Sequence, residues 1–344
     1  MAENIMDQLD KCLNAYFEKN AFQKNKSVCI FRAMPVSYLK HFSVADTMCV
    51  QTYKPFADLL NRQGFRIVGD SPQHQDVCVV LVTKSKEESL FNIAVAVSNL
   101  KEDGVLIVAA ANALGAVGIQ KQMQNLLGTI DVFSKSKCRL FSCVVNQNRI
   151  NENVKKEWLD NGRMRFQKNI GFYTCPGIFG WQKIDAGSRL LMTSITEKLW
   201  GRVADLGCGY GYLSVCALRK ENDISALHLF ETEEKALAAA RMNLSNFEGV
   251  EIHYNWCDVV REVKQMHDFD CVLMNPPFHS EKAADYALGE SFIISAAALL
   301  KTGGVLYMVA NKHLPYEKTL SENKFDFEFL IKDDLFKIIR AIKK

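Results

Sequence analysis

Apolar and polar positions in the second half of the chain alternate between short buried runs and longer amphipathic ones. Arg202–Leu206 is a short apolar run that predicts a strand, Gly207–Gly211 a glycine turn, and Tyr212–Arg219 a helix. Ser225–Phe230 alternates as a strand does, and Glu233–Asn246 carries an Ala-rich helical face. Val250–Trp256 and Phe269–Met274 predict two more strands. Lys282–Leu300 predicts a long helix, stopped by the Gly303–Gly304 pair, with the strand Val305–Ala310 behind it. Strands alternating with helices predict a parallel sheet covered on both faces. The tail differs. Phe325–Ile331 and Leu335–Ile342, on either side of Lys332-Asp333-Asp334, predict an antiparallel hairpin that closes the sheet.

The first half echoes the second. DVCVVLVTKSKEE from Asp76 parallels DCVLMNPPFHSEK from Asp270, and LKEDGVLIVAAAN from Leu100 parallels LKTGGVLYMVANK from Leu300. The two offsets, 194 and 200 residues, are nearly equal, which predicts two copies of one fold. The expected layout is α/β: two tandem Rossmann-like domains, residues 1–165 and 166–344, joined through a turn-rich stretch from Gln147 to Gly180. The second should hold a mostly parallel seven-stranded sheet. Residues 41–60 offer no glycine loop, and Thr83–Lys86 stand against Asn275–Phe278, so the first copy should keep the fold and lack the site.

Composition agrees. The chain has 344 residues, 48% apolar and 24% charged, which excludes disordered and collagen-like classes and gives each half enough chain for its own core. Net charge is +3, but residues 1–172 carry 22 Lys/Arg against 16 Asp/Glu, and residues 173–344 carry 20 against 23. The first half is therefore the half suited to a polyanion, helped by Lys155, Lys156, Arg163, Arg165 and Lys168 in the joining stretch. Eleven cysteines without a C-x-x-C pair predict reduced, buried thiols of a cytoplasmic protein, with no disulfide framework and no metal site. The N-terminus has early acids and no apolar core of a signal peptide. The longest charge-free run, Gly104–Gln120, is too short to span a bilayer and reads as a buried strand followed by a loop, so no membrane association is expected.

The chemistry clusters at predicted strand ends. Asp205-Leu-Gly-Cys-Gly-Tyr-Gly211 follows a strand and opens a helix, so Gly207, Gly209 and Gly211 allow close backbone approach to a ligand. A carboxylate at the strand end repels pyrophosphate and suits a cationic or amino-bearing ligand such as S-adenosylmethionine (SAM). Glu231 ends the next strand and is placed to accept ribose hydroxyls, and Asp258 follows the third and is placed for an adenine amino group. Phe230 and Trp256 flank these acids and are expected near the adenine. Asn275-Pro276-Pro277-Phe278 ends the fourth strand. Paired prolines hold the chain extended and remove two N–H donors. The Asn275 side-chain oxygen and the Pro276 carbonyl then form two acceptors for the two N–H groups of an exocyclic or amide nitrogen, and Phe278 offers a stacking face. His279 adjoins the motif, more simply as a loop histidine than as a proton shuttle.

This order of motifs resembles the class I SAM-dependent methyltransferases. More narrowly, N-P-P-F-H, and Pro176-Gly-Ile-Phe-Gly180 followed by Ile184-Asp-Ala-Gly-Ser-Arg-Leu-Leu191, resemble the bacterial small-subunit ribosomal RNA guanine-N2 methyltransferases. The resemblance implies two tandem methyltransferase domains with a degenerate first copy, SAM as cofactor, and ribosomal RNA as partner. It also implies that Phe179, Asp185 and Ser188 lie over the methionine end of the cofactor. Asp258 departs from the neutral amide usual there. The doubled chain suggests a monomer. Alternatives in the same chemistry are an amide nitrogen of a release factor or an adenine amine. A non-catalytic RNA-binding assembly factor is the alternative of another class, and a nicotinamide dehydrogenase is the weakest contender.

Overall fold

The computed structural model describes residues 4–20, 25–69, 72–220, 223–263, 266–277 and 283–344, with side chains from Tyr286 onward in the last stretch. The chain divides into two compact units, one of residues 1–163 with 175–177 and one of residues 164–174 with 178–344.

The first unit runs α1 (Ile5–Lys19), β1 (Val28–Phe31), β2 (Thr47–Val50), α2 (Lys54–Arg62), β3 (Arg66–Val68), β4 (Gln75–Leu81) and α3 (Lys86–Asn99). It continues through β5 (Leu100–Ala111), α4 (Ala116–Leu127), β6 (Asp131–Lys135), β7 (Cys138–Val144) and α5 (Glu152–Gly162). The second unit opens on a two-stranded ribbon, β8 (Arg165–Gln167) and β9 (Phe172–Thr174). Then come α6 (Ala186–Ser194), β10 (Trp200–Leu206), α7 (Tyr212–Arg219), β11 (Asp223–Glu231), α8 (Glu234–Leu244), β12 (Glu251–Trp256) and β13 (Phe269–Met274). The chain ends on α9 (Ala283–Leu299), β14 (Leu300–Asn311), α10 (Glu317–Glu322), β15 (Phe325–Lys332) and β16 (Phe336–Lys343).

Each unit builds one seven-stranded sheet, and the two orders match: β3-β2-β1-β4-β5-β7-β6 and β12-β11-β10-β13-β14-β16-β15. Five strands of each are parallel, and an antiparallel hairpin closes the edge. Strand periodicity explains the two-sided cover. In the first unit Cys29, Phe31, Cys78 and Val80 enter one apolar cluster, while Val28, Ile30, Val77 and Val79 enter the other. In the second unit Ala204, Leu206, Val272 and Met274 share a cluster with Phe292, Ile293 and Ala296 of α9.

Duplication extends to local detail. In both copies the register jumps as the central strands start: from Gln75↔Leu100 to Val77↔Val105, and from Phe269↔Leu300 to Cys271↔Val305. Inside each jump an Asp–Lys pair forms, Asp76 with Lys101 and Asp270 with Lys301. Asp103 (φ 59°) and Gly303 (φ 81°) both take the left-handed conformation that the reversal needs. The glycine that follows is sterically required. A Cβ on Gly304 would lie 2.9 Å from both Leu300 Cδ2 and the Phe269 carbonyl oxygen, and one on Gly104 would lie 3.0 Å from Leu100 Cδ2 and the Lys101 carbonyl. Backbone oxygen cannot step aside, so Gly304→Ala is expected to destabilise the second unit by about 1–3 kcal/mol. A lowered thermal midpoint with the first unit's transition unmoved checks this.

Two expectations need correction. Gly104–Gln120 is not a strand and loop: β5 ends at Ala111, Gly115 turns at φ 79°, and α4 takes the rest. The stretch from Gln147 is not a plain connector either. Asn151 caps α5 by accepting the Val154 N–H at 3.3 Å, and Trp158 is buried in the first unit's core, so Lys155 and Lys156 ride on a packed helix.

Candidate active site

The chemistry gathers at the carboxyl ends of β10, β11 and β13, where ligands of open α/β sheets bind. A cavity there is lined by Phe179, Gly180, Asp185, Ser188, Gly207, Cys208, Gly209, Tyr210, Tyr212, Leu213 and Asn275. Gly207, Gly209 and Gly211 all have positive φ (72°, 55° and 84°). At Gly209 an added Cβ would enter open space, while at Gly211 it would press Ala240 Cβ at 3.2 Å, so the first leaves room for a ligand and the second lets α7 pack on α8. The loop is pinned to β11 because Gly207 and Cys208 donate their N–H groups to the Phe230 carbonyl at 2.9 and 3.1 Å.

Two carboxylates lie beneath this loop. Asp205 is fully buried; its Oδ2 accepts Ser214 Oγ at 2.6 Å and Ser214 N–H at 3.2 Å. Its Oδ1 is buried with no hydrogen-bond partner among the described residues. Burial pushes this carboxyl up to about 7, Ser214 opposes the shift, and the neighbouring Glu231 adds to it. Glu231 accepts Gly209 N–H on Oε2 at 2.8 Å, and Thr232 N–H and Glu233 N–H on Oε1 at 2.7 and 2.9 Å. Burial raises its carboxyl above the ordinary range against these bonds.

Opposite the loop, Asp185 caps α6: its Oδ2 accepts the Ser188 N–H at 2.7 Å. The same oxygen accepts one N–H of the Asn275 amide at 2.9 Å, and Ser188 Oγ accepts the other at 2.7 Å. Both donors of Asn275 are thereby engaged, and the amide is oriented with its carbonyl oxygen as the acceptor it presents. Pro276 is buried and Pro277 half-buried behind it. Phe179 is half-exposed at the cavity rim.

Among the expected residues, the structure thus assembles Asp205, Gly207, Gly209, Gly211, Glu231, Phe179, Asp185, Ser188 and Asn275 in and around one cavity. Asp258 stands at the end of β12, outside the cavity lining. Its Oδ1 accepts the Val260 N–H at 3.1 Å and its Oδ2 faces Arg261 Nε at 3.5 Å. Phe230 is buried in the core against Phe269, not on a ligand face, and Trp256 donates Nε1–H to the Thr232 carbonyl at 3.0 Å. Phe278 and His279 lie outside the described residues. Sequence reasoning missed Ser214, which holds Asp205, and Tyr210 and Tyr212, which line the cavity. The two tyrosines stand within and just after the glycine motif and were legible there. Among the described residues no cluster of His, Cys, Asp or Glu could hold a metal ion.

The first unit fills the same place differently. Register sets Phe31 against Val80 and Leu206 against Met274, so the counterpart of the glycine loop begins at Arg32, not within 41–60. Arg32 takes the left-handed φ of 57° that Gly207 takes at 72°. Its guanidinium reaches Thr52 Oγ1 at 2.5 Å and buried Glu88 at 3.6 Å, and Glu88 also accepts Thr83 Oγ1 at 2.8 Å. By the same register Leu81 and Val82 stand where Asn275 and Pro276 do, two residues earlier than the sequence comparison placed the counterpart.

Known proteins match both halves. The family model of the methyltransferase small domain matches residues 169–340, and that of its N-terminal domain matches residues 22–161. A protein of Psychromonas ingrahamii named ribosomal RNA small subunit methyltransferase C is 26% identical over 334 residues, covering 93% of each chain. One of the same name from Shewanella pealeana is 28% identical over 270 residues, covering 78% of this chain and 77% of its own. Among solved structures, the T. thermophilus 16S rRNA N2 G1207 methyltransferase (RsmC), in complex with AdoMet and guanosine, has the same fold with a TM-score of 0.82 at 20% identity, over 99% of this chain and 93% of its own. The duplicated sheet, the glycine cradle and the two family models agree: the chain belongs to the methyltransferase small domain family.

Proposed function

We propose that this chain transfers a methyl group from SAM to the exocyclic N2 amine of a guanine in small-subunit ribosomal RNA. Residues 166–344 form the catalytic domain, and residues 1–165 are a degenerate copy with a structural or RNA-holding role. The names of the full-length relatives support the substrate, and the orientation of Asn275 carries the chemistry.

The cavity fits the cofactor on its own evidence. Asp205 Oδ1 is a buried acceptor without a partner among the described residues, and the open position at Gly209 admits a ligand against the backbone. Asp205 and Glu231 set two carboxylates near a ligand of positive charge, Glu231 retaining lone pairs for ribose hydroxyls. Phe179, Asp185 and Ser188 hold the methionine end, and Asp258 the adenine side. SAM supplies an electrophilic methyl on a cationic sulfur when bound. The protein's part is position and polarity. Asn275 Oδ1 and the Pro276 carbonyl accept the two N–H groups of the target amine, which steers its lone pair out of the ring system toward the methyl. Phe278 stacks on the base. The amine acidifies as it gains the methyl, so its proton leaves without a strong base. A guanine in a stack cannot reach Asn275, so the target base is unpaired or flipped.

Among the described residues no helix is long and apolar enough to cross a membrane. We place the enzyme in the cytoplasm with its ribosomal substrate, working as a monomer whose second copy is built into the chain.

Incubation with labelled SAM and naked ribosomal RNA, small subunits or large subunits tests the reading. Label in small-subunit RNA, recovered as N2-methylguanine, supports it. Label only in large subunits keeps the chemistry and moves the site. Bound SAM with no labelled RNA turns the reading to a protein amide or to an assembly factor.

A further inference from the structure

We infer that the ribbon β8–β9, with residues 178–189 of the same unit, is the platform on which the RNA strand flanking the target nucleotide docks, a reading that rests on RNA being the substrate. The second half of the chain carries more acids than bases, yet the ribbon and the cavity rim reverse that balance. Between residues 164 and 190 stand Arg165, Lys168, Lys183 and Arg189, all exposed, against one acid, Asp185, which is committed to α6 and Asn275. Phe166 stands between Arg165 and Lys168 in sequence with half its surface exposed, its ring edge-on to Tyr173 at 5.3 Å. An exposed aromatic ring on a ribbon that also carries exposed cations is the combination that single-stranded nucleic acid uses, bases on the ring and phosphates on the charges.

The ribbon is fixed to the site rather than merely near it. Phe172 packs on Tyr210 and Tyr212 at 5.3 and 5.6 Å, and both tyrosines line the cavity. Asn169 donates to the Gln182 carbonyl at 2.8 Å and Thr174 Oγ1 to the Trp181 carbonyl at 2.8 Å, which ties the ribbon to the segment carrying Phe179 and Asp185. Asn243 bonds Tyr173 through both backbone groups, at 2.7 and 3.0 Å, and the Tyr210 carbonyl at 2.9 Å. A strand held here therefore presents its neighbouring nucleotide at a set distance from Asn275. Charge complementarity selects a polyanion, and the exposed ring favours RNA over an acidic peptide.

The test uses the full-length protein, a ribosomal RNA fragment that the wild type methylates, and SAM binding as the control for folding. Arg165→Gln/Lys168→Gln is expected to weaken RNA binding by about tenfold at 0.15 M salt and to flatten the slope of log affinity against log salt by about 1.4, with SAM affinity retained. Phe166→Ala is expected to lose about fivefold or more in RNA affinity while leaving the salt slope in place. The slope separates the two contributions, which a general loss of structure would not do. Wild-type RNA affinity and slope in both variants, with the wild type still methylating the fragment, overturn the inference and leave the functional reading standing. Variants weakened only toward an acidic protein segment overturn it in favour of a protein partner. A wild type that neither binds nor methylates ribosomal RNA overturns both readings.

Discussion

Asn275→Ala is expected to abolish most methyl transfer, by about 10²–10³-fold in the single-turnover rate, with SAM binding close to wild type. The magnitude is that of deleting one preorganised hydrogen-bonding group at a reacting centre. The geometry makes the loss one of rate. Asn275 is held by Asp185 and Ser188 through both its N–H groups, so its oxygen is in place before the amine arrives and no reorganisation is needed. Alanine leaves the Pro276 carbonyl as a single acceptor, which binds the amine but no longer fixes its lone pair. Asn275→Asp probes the same point from the other side. It restores an oxygen but sets a second carboxyl group beside Asp185 in place of the amide N–H that Asp185 accepts. Its activity should exceed that of the alanine variant, which offers no oxygen, and fall below wild type, because the amide donors to Asp185 and Ser188 are gone. Asp185→Ala is the indirect case. It removes one of two restraints on the amide and the cap of α6, and should lower the rate less than Asn275→Ala does. Rate-quench with labelled SAM, beside SAM titration, reads all three. A wild-type rate in Asn275→Ala would remove the amide oxygen from the mechanism.

Much of this site was legible in the sequence because it is local. The β10 end at Asp205, the glycine turn and α7 follow one another in fifteen residues, so spacing alone placed Asp205 at the strand end and the glycines on the loop after it, and α7 starts and stops where the pattern said. Asn275-Pro-Pro was legible for the same reason: prolines forbid the strand to continue. Legibility failed where the cause is long-range. Asp185 and Ser188 were expected beside a cofactor, but nothing local announces that they bond Asn275 across 90 and 87 residues. Phe230 was expected near the adenine because it adjoins Glu231, yet successive strand residues face opposite sides, and its side is the core. The joining stretch looked like a loop because α5 is rich in charge, and the face it packs is carried by few residues, buried Trp158 and Gly162 with Val154 and Leu159 partly buried beside them. The first copy's loss of glycine was read correctly but in the wrong segment, since Arg32 shows in sequence no sign of the left-handed backbone that marks it as the counterpart of Gly207.

Asp205→Asn is expected to make the protein without cofactor more stable and to weaken SAM binding by about tenfold or more. The carboxylate is fully buried, only one of its oxygens has partners among the described residues, and Glu231 stands close, so its ionised form is costly and its carboxyl is raised to about 7. In the unfolded chain the same group ionises near 4. The folded state therefore binds this proton more tightly than the unfolded state does. Its relative contribution to stability is full below about pH 4 and is lost progressively as pH rises to about 7. The amide carries no such cost, so the variant's advantage in thermal midpoint should be small at pH 5 and largest at pH 7 and above. Cofactor binding has the opposite demand. A cationic ligand favours the ionised carboxylate, so SAM binding should release a proton, and its affinity should rise between pH 5.5 and 7 in the wild type. Asparagine offers no charge to the ligand, and the variant should lose this rise along with the affinity. Isothermal titration in two buffers of different ionisation enthalpy counts the released proton directly, and thermal scans with and without SAM at pH 5.5 and 7.5 give the stability side. Equal proton release in wild type and variant would move the titrating group away from Asp205. A destabilised variant would mean that Ser214 needs the charge and not only the oxygen. The expected pattern, stability gained where affinity is lost, is that of a charge kept buried for its ligand at the expense of the fold.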